Sequence, residues 1–174
     1  MTTKKSFVHL SPYDPLWELR FNQEKEMITQ AIGPSLIGIE HIGSTSVKGL
    51  DAKPIIDLLV GVKDLEDVLS LIEPLKKIAY VYVHKPELTD RRFFRKGELQ
   101  RGTCHLHICE FESSEWNNKL LFRNYLRTFP KVAEEYRDLK KELAALYQFD
   151  RPKYTQEKEP FIKEIVRRAK KQDE

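Results

Sequence analysis

The 174-residue sequence predicts one α/β (α+β) domain, in which a mixed β-sheet is flanked by helices and followed by C-terminal helices. Three observations support this fold class. The run Ile55 to Val62 is apolar except for Asp57, as in a central strand buried on both faces. Strand-like and helical segments alternate over about residues 1–112. From about residue 113 to residue 174, apolar side chains recur at helical spacing.

The N-terminal third predicts two strands around one helix. Phe7 to Leu10 is strand-like. Asp14 then has the position of a helix N-cap, with Pro15 at the first helical position. Gly33 and Pro34 end this helix, and Ile37 to Ile42 predicts the strand that precedes the apolar run.

The middle of the chain predicts a short helix and three more strands. Asp64 is placed to cap a helix over Leu65 to Ile72, with Pro74 bending or restarting it. The predicted strands are Ala79 to His84, Arg91 to Arg95, and Thr103 to Phe111. Residues 85–90 form the loop between the first two of these.

Three helices are predicted at the C-terminus. Apolar residues recur with a helical period after Ser114, again after Pro130, and again after Pro160. No internal repeat or low-complexity linker divides the chain, so we treat residues 1–174 as a single domain.

Composition and charge limit the possible partners. The chain has 30 basic and 27 acidic residues, a net charge of +3 that is too balanced to indicate nucleic-acid binding. There is no apolar run long enough for a membrane span and no signal-peptide pattern, so we expect a cytoplasmic protein without membrane contact. Cys104 and Cys109 lie five residues apart in one predicted strand and should point to opposite faces, which argues against a disulfide. Nothing in the sequence predicts the oligomeric state.

The turn Gly43-Ser44-Thr45-Ser46 is the first candidate for phosphate binding. Small hydroxyl residues after a glycine offer backbone N–H and side-chain O–H donors to a phosphate. The same residues are also the usual caps of an ordinary helix, and the spacing is not that of a Walker A loop. Both interpretations remain open at this point.

Asp57 and Lys53 are the next candidates. A lone carboxylate in a buried strand is costly unless it is paired, either by a neighbouring cation such as Lys53 or by a bound Mg²⁺ or Mn²⁺. Lys53 precedes Pro54 at the start of the strand, where it would either bind a phosphate or remain in solvent.

His105 and His107 lie on one face of a predicted strand, because side chains alternate with period two. Such a pair can ligate a metal, bind phosphate or exchange protons. His41 is a weaker candidate, with a structural hydrogen bond as the alternative. The basic stretch from Arg91 to Arg101 can present only alternate residues to a phosphate, and Arg92 is our candidate there.

Together these motifs resemble the GrpB family over nearly the whole chain. The resemblance is carried by a central motif over residues 40–57, by the His-x-His pair, and by residues 121–127. It is supported by Pro12-Tyr13-Asp14-Pro15 with Trp17 near the start, and by Tyr154, Lys158 and Phe161 near the end.

That family is similar to the nucleotidyltransferase superfamily, which has a DNA polymerase beta-type fold. The resemblance implies that Gly43 and Ser44 form the nucleotide-phosphate turn and that Asp57 is the first metal carboxylate. Leu59 stands where the superfamily has its second carboxylate, although two-metal phosphoryl transfer normally needs several carboxylates. Either His105, His107 or Glu110 completes the site, or a nucleotide is bound without being transferred.

Three functions follow as hypotheses. The first is a nucleotidyltransferase that uses Mg²⁺ or Mn²⁺ and moves a nucleotidyl group from an NTP to an unknown acceptor. Its catalytic and metal-binding residues would be Asp57, His105 and His107. The second is a non-catalytic module that binds a nucleotide or another phosphorylated metabolite, and the third is a metal-dependent phosphoester hydrolase.

Overall fold

A computed structural model of the chain describes residues 7–98 and 101–172. Five strands form one sheet in the order β1-β2-β5-β4-β3. The β2–β5 pair is parallel and the other three pairs are antiparallel, which confirms the predicted mixed sheet. The strands are β1 Gly38–Ile42, β2 Ile56–Val62, β3 Tyr80–Val83, β4 Arg91–Glu98 and β5 Arg101–Glu110. The α-helices are α1 Leu16–Ile32, α2 Ile72–Lys77, α3 Ser114–Thr128, α4 Pro130–Leu146 and α5 Arg151–Gln172.

Strand β2 is buried on both faces, as the apolar run predicted. Leu58 and Val60 belong to the main core, together with residues of α1 and α2. Leu59 points to the opposite face and packs with Trp116 of α3. A Cβ at Gly61 would lie 2.8 Å from the Phe111 ring, so only glycine allows this close approach to β2.

The first helix follows its sequence signals, but the strand predicted before it is wrong. Asp14 Oδ1 accepts the Leu16 N–H at 2.9 Å, and the helix ends at Ile32 before Gly33. The segment Phe7 to Leu10 is not a strand, because the Val8 N–H donates to the Gln148 carbonyl instead of to a neighbouring strand. An isolated bridge to Ala52 follows this segment, at Ser11.

The segment after β2 begins with the predicted helix cap but continues first as a 3₁₀ helix instead of an α-helix. The Asp64 side chain accepts the Glu66 N–H at 2.9 Å. The next turns, Leu65–Leu71, are a 3₁₀ helix, and α2 begins at Ile72 with Pro74 in its first turn. Proline is tolerated in a first turn because its missing N–H would have no helical partner there.

The last helix begins earlier than predicted. The sequence placed its start after Pro160, but α5 begins at Arg151 and contains that proline. Asp150 starts the helix, since its Oδ1 accepts the Lys153 N–H and its carbonyl accepts the Tyr154 N–H, both at 3.0 Å. Tyr154 before Pro160 and Ile165 after it are buried, which offsets the roughly 3 kcal/mol that an internal proline costs.

The two cysteines are free, buried and on opposite faces of the sheet, as their spacing predicted. Along the two described stretches, none of the helices has both the length and the apolar character needed to cross a lipid bilayer.

Candidate functional site

The Gly43–Ser46 turn connects β1 to the segment before β2 and brings the backbone against Asp57. Gly43 has φ +71°, a conformation that side chains rarely adopt. A Cβ at this position would lie 2.5 Å from Asp57 Oδ2. Glycine is therefore required both by the backbone and by the carboxylate next to it.

The three hydroxyls of the turn have different roles. Ser44 Oγ accepts a hydrogen bond from Lys140 Nζ at 3.0 Å. Thr45 Oγ1 lies 2.9 Å from His41 Nε2, and Ser46 Oγ donates to the Gly43 carbonyl. Thr45 and Ser46 are buried, and their hydrogen bonds hold the turn in its conformation. Ser44 differs from them, because its hydrogen bond is to the Lys140 ammonium.

Asp57 and His105 are neighbours on the parallel strands β2 and β5. His105 Nδ1 lies 3.3 Å from Asp57 Oδ1. Burial alone would raise the Asp57 pKa, but the hydrogen bond from His105 and the nearby Lys53 ammonium hold that pKa below its ordinary value. The carboxylate is therefore ionised at neutral pH.

His107 follows His105 on the same face and lies against the Phe93 ring at 5.2 Å. Burial and the nearby Lys119 ammonium lower the His107 pKa to about 3, so the imidazole is neutral. Its Nδ1 is buried and forms no hydrogen bond with any described residue.

Three lysines lie close to one another beside Asp57: the Asp57 charge acts on Lys53 and Lys158, and these two lysines act on Lys140. Burial and the charge of Arg151 lower the Lys53 pKa to about 8. Burial and the charge of Lys53 lower the Lys158 pKa to about 8, and burial and the charge of Lys158 lower the Lys140 pKa to about 7. The Lys158 and Lys53 ammonium groups lie 4.4 and 5.4 Å from the centre of the Tyr154 ring. Three basic groups thus lie close together beside Asp57, where they repel one another.

Sequence reasoning missed Lys140 completely and found Lys158 only through the family resemblance. On a helical sequence pattern both resemble ordinary solvent-facing lysines. The sequence does not distinguish these two lysines from the other lysines of α4 and α5, because it does not show which faces of these helices meet the turn. A weak signal was available for Lys140: it follows Tyr136 by one helical turn, and its Nζ lies 4.9 Å from the centre of that ring.

The structure does not bring Arg92 or His41 to this site. Arg92 lies on the opposite face of the sheet, 3.6 Å from Glu66. His41 also faces the opposite side, where it stacks on Phe21 at 4.7 Å. Burial lowers the His41 pKa to about 4, so this imidazole is neutral and structural.

The side chains around Asp57 do not fit a metal centre held by the protein. In the described parts of the chain, no three His, Cys, Asp or Glu side chains are arranged to hold an ion. Leu59 fills the place of the second carboxylate and is fully buried. Glu110 contacts the Leu65 N–H instead of the site. The lysines also repel a divalent cation, so the donor set lacks the several oxygen ligands that Mg²⁺ or Mn²⁺ prefers.

Comparison with known proteins agrees with these motifs. Residues 7–168 match the family model of the GrpB protein. The chain belongs to the GrpB family. A glutamate-rich protein GrpB from Alkalihalophilus pseudofirmus is 38% identical over 166 residues, which cover 93% of this chain and 95% of that protein. The crystal structure of the conserved protein GrpB from Enterococcus faecalis is 40% identical with a TM-score of 0.87, and the match covers 95% of this chain and 100% of that one.

A more distant structure confirms the fold of this GrpB-family chain. The Cid1 poly(U) polymerase, with Mg and 3'-dATP bound, matches with a TM-score of 0.54 and 14% identity. The match covers 78% of this chain but only 43% of Cid1. The fold is therefore of the nucleotidyltransferase, polymerase beta-like type, as the resemblance implied.

Proposed function

We propose that this GrpB-family protein binds the phosphate groups of a nucleotide or another phosphorylated small molecule beside Asp57. The observation that carries the proposal is the group of three neighbouring lysines, Lys53, Lys140 and Lys158, whose pKa values are lowered by burial and by the charge of nearby basic groups. Such a cluster repels itself in the free protein. A bound phosphate chain removes this repulsion, because each negative oxygen stabilises the charged form of the lysines.

The contacts suggest how the ligand is held. Lys53 and Lys158 border the Tyr154 ring, and their mobile ammonium groups are suited to phosphate oxygens. Lys140 keeps Ser44 in place through its 3.0 Å hydrogen bond. The 3'-dATP bound to Cid1 supports choosing a nucleotide as the first ligand to test.

Calorimetry with ATP, GTP, CTP and UTP tests the proposal, each with and without Mg²⁺ or Mn²⁺. At least one nucleotide should bind without metal, and Lys53→Met or Lys158→Met should weaken it about tenfold, the loss of one charge-assisted hydrogen bond. The matched control is Lys76→Met, whose lysine side chain is 68% exposed and far from the site. Absence of binding by every nucleotide at millimolar concentration would refute nucleotide binding at this site.

Asp57→Asn separates lysine-based binding from metal-based binding. If lysines hold the phosphates, removing the carboxylate also removes a repulsion, and metal-free affinity should stay equal or increase. If a metal ion on Asp57 holds the nucleotide, affinity should fall sharply and only when metal is present. The second result would contradict our proposal and favour metal-dependent chemistry.

A second candidate function is nucleotidyl transfer, favoured by the contact between Gly43 and Asp57 on a nucleotidyltransferase-like fold. An acceptor hydroxyl would attack the α-phosphorus of an NTP. A new P–O bond forms, the bond to the β-phosphate breaks, and pyrophosphate leaves. The ionised Asp57 carboxylate, held by His105, is the base that the site offers for the acceptor proton.

Pyrophosphate release in the presence of trial acceptors tests this candidate. Release should be lost in Asp57→Asn while nucleotide binding is kept. Bound nucleotide without any release favours the non-catalytic module. Phosphate released from a phosphoester without an acceptor favours the hydrolase instead.

A further inference from the structure

A cavity of about 780 Å³ lies along the free edge of β1, apart from the Asp57 site. Its walls come from α1, α3, α4 and the segment that follows Ser44. None of the candidate-site residues Asp57, Lys53, His105, His107 or Lys158 lines it. The volume is within the usual range for small-molecule sites in proteins.

The floor of this cavity is polar although it is buried. Among the described residues, five polar or charged side chains are buried, and four of them line the cavity: His41, Thr45, Ser46 and Arg123. They are fixed by hydrogen bonds to one another or to nearby groups, such as Arg123 to Glu40 Oε2 at 2.6 Å. These side chains also support the turn and β1, and they give the cavity a polar floor of fixed geometry.

Cationic groups from four separate elements converge on the cavity. Lys25 comes from α1, Lys48 from the segment after the turn, Arg127 from α3 and Arg137 from α4. Arg127 donates two hydrogen bonds to the Ser46 carbonyl, at 2.8 and 3.0 Å. Within the described ranges, none of Lys25, Lys48 and Arg127 forms a salt bridge. With Arg123 included, five basic residues line the cavity against three acidic ones, so the lining is net positive.

Apolar side chains complete the walls. Phe21, with its face against His41, and Tyr13 lie on one side, while Leu50 and Leu126 lie on another. Apolar walls with a few fixed polar groups are typical of sites for small organic ligands.

We propose that this cavity is a second ligand site, which takes a small organic anion. A phosphate or carboxylate group lies among Lys48, Arg127 and Arg137, and an apolar or aromatic body packs against Phe21 and Leu126. The site is independent of the nucleotide site, because β1 and the Gly43–Ser46 turn separate the two.

Nuclear magnetic resonance titration of the full chain tests this proposal with three probes. Phenyl phosphate has both the anion and the aromatic body, whereas inorganic phosphate and phenol each have one. Phenyl phosphate should bind more tightly than either, and should shift the His41 ring signals and the amide signals of residues 47–50. The double variant Lys48→Gln/Arg137→Gln should weaken it at least tenfold, as expected for losing charge-assisted contacts. The matched control Lys76→Gln/Arg167→Gln should bind as the wild type does.

The outcomes separate this site from the nucleotide site. Lys53→Met should leave the His41 shifts unchanged, whatever it does to nucleotide binding. Shifts restricted to residues around Asp57 would overturn the second site. Equal affinity in the Lys48→Gln/Arg137→Gln variant and its control would overturn it as well. A carboxylate probe, benzoate, then tells whether the site prefers phosphate or accepts either anion.

Discussion

Replacing Lys140 by methionine should change stability in a strongly pH-dependent way. The side chain is 2% exposed, and its Nζ donates to Ser44 Oγ and to the Asp51 carbonyl. Burial and the charge of Lys158 lower the Lys140 pKa from 10.5 to about 7 in the folded chain. Methionine keeps the length of the side chain but has neither the donors nor the charge.

The size of the effect follows from proton linkage. Between pH 7 and 10.5, Lys140 carries a proton in the unfolded chain but not in the folded one. Wild-type stability therefore rises with pH by about 1.4 kcal/mol per pH unit from this group, or about 3 kcal/mol between pH 7 and 9.5. Loss of the two hydrogen bonds costs the variant about 3 kcal/mol at high pH, where the charge no longer matters.

Urea unfolding of the wild type and Lys140→Met at pH 6.5, 7.5, 8.5 and 9.5 measures this difference. The variant should be clearly less stable at pH 9.5 and close to the wild type, or more stable, at pH 6.5. Lys76→Met should show no trend and stay within about 0.5 kcal/mol of the wild type. A stability loss that is the same at all four pH values would refute the claim that Lys140 is held in a site that disfavours its charge.

Three further predictions concern the same site. Nucleotide binding at pH 8.5 should take up protons, because phosphate raises the Lys53 pKa from about 8 in the free site. Calorimetry in two buffers of different ionisation enthalpy measures this proton uptake. Equal binding heats in the two buffers would contradict the prediction. Gly43→Ala should destabilise the fold by more than about 2 kcal/mol in urea unfolding and weaken ligand binding, since its Cβ would meet Asp57, whereas Gly33→Ala, with nothing within 4 Å, should be close to neutral. Leu59→Asp should lower stability by more than about 3 kcal/mol without creating a Mg²⁺ site in a metal titration, because it buries an unpaired carboxylate; a gain of tight Mg²⁺ binding would show that this reasoning is wrong.

The parts of the site that lie on strands could be predicted from the sequence, because strand geometry has a simple period. Alternation placed His105 and His107 on one face, and a single charge in an apolar run singled out Asp57. The parallel pairing that joins Asp57 to His105 depends on strand order, which no local pattern encodes. Lys53 was also a candidate, but Lys140 and Lys158 could not be predicted from periodicity, because a helical pattern gives an apolar face but not the neighbour of each polar residue.

The two wrong fold predictions have one cause: tertiary contacts outweighed a local signal. Phe7 to Leu10 has the composition of a strand, but its Val8 packs against Leu143 and Tyr154, so the segment follows the C-terminal helices. Pro160 is a helix breaker by propensity, but Tyr154 and Ile165 are buried on the two sides of it, and the helix continues.

The parallel pairing of β2 with β5 also bears on the order of folding. The two strands are far apart in the chain, with β3 and β4 between them, so their pairing closes a long loop. Closing so long a loop costs entropy before any contact offsets it, which slows folding. Lys158, on the last helix, joins the site only when the C-terminal end of the chain has docked. Stopped-flow refolding followed by ligand fluorescence should therefore detect binding in the slowest phase, after most of the helical signal has returned.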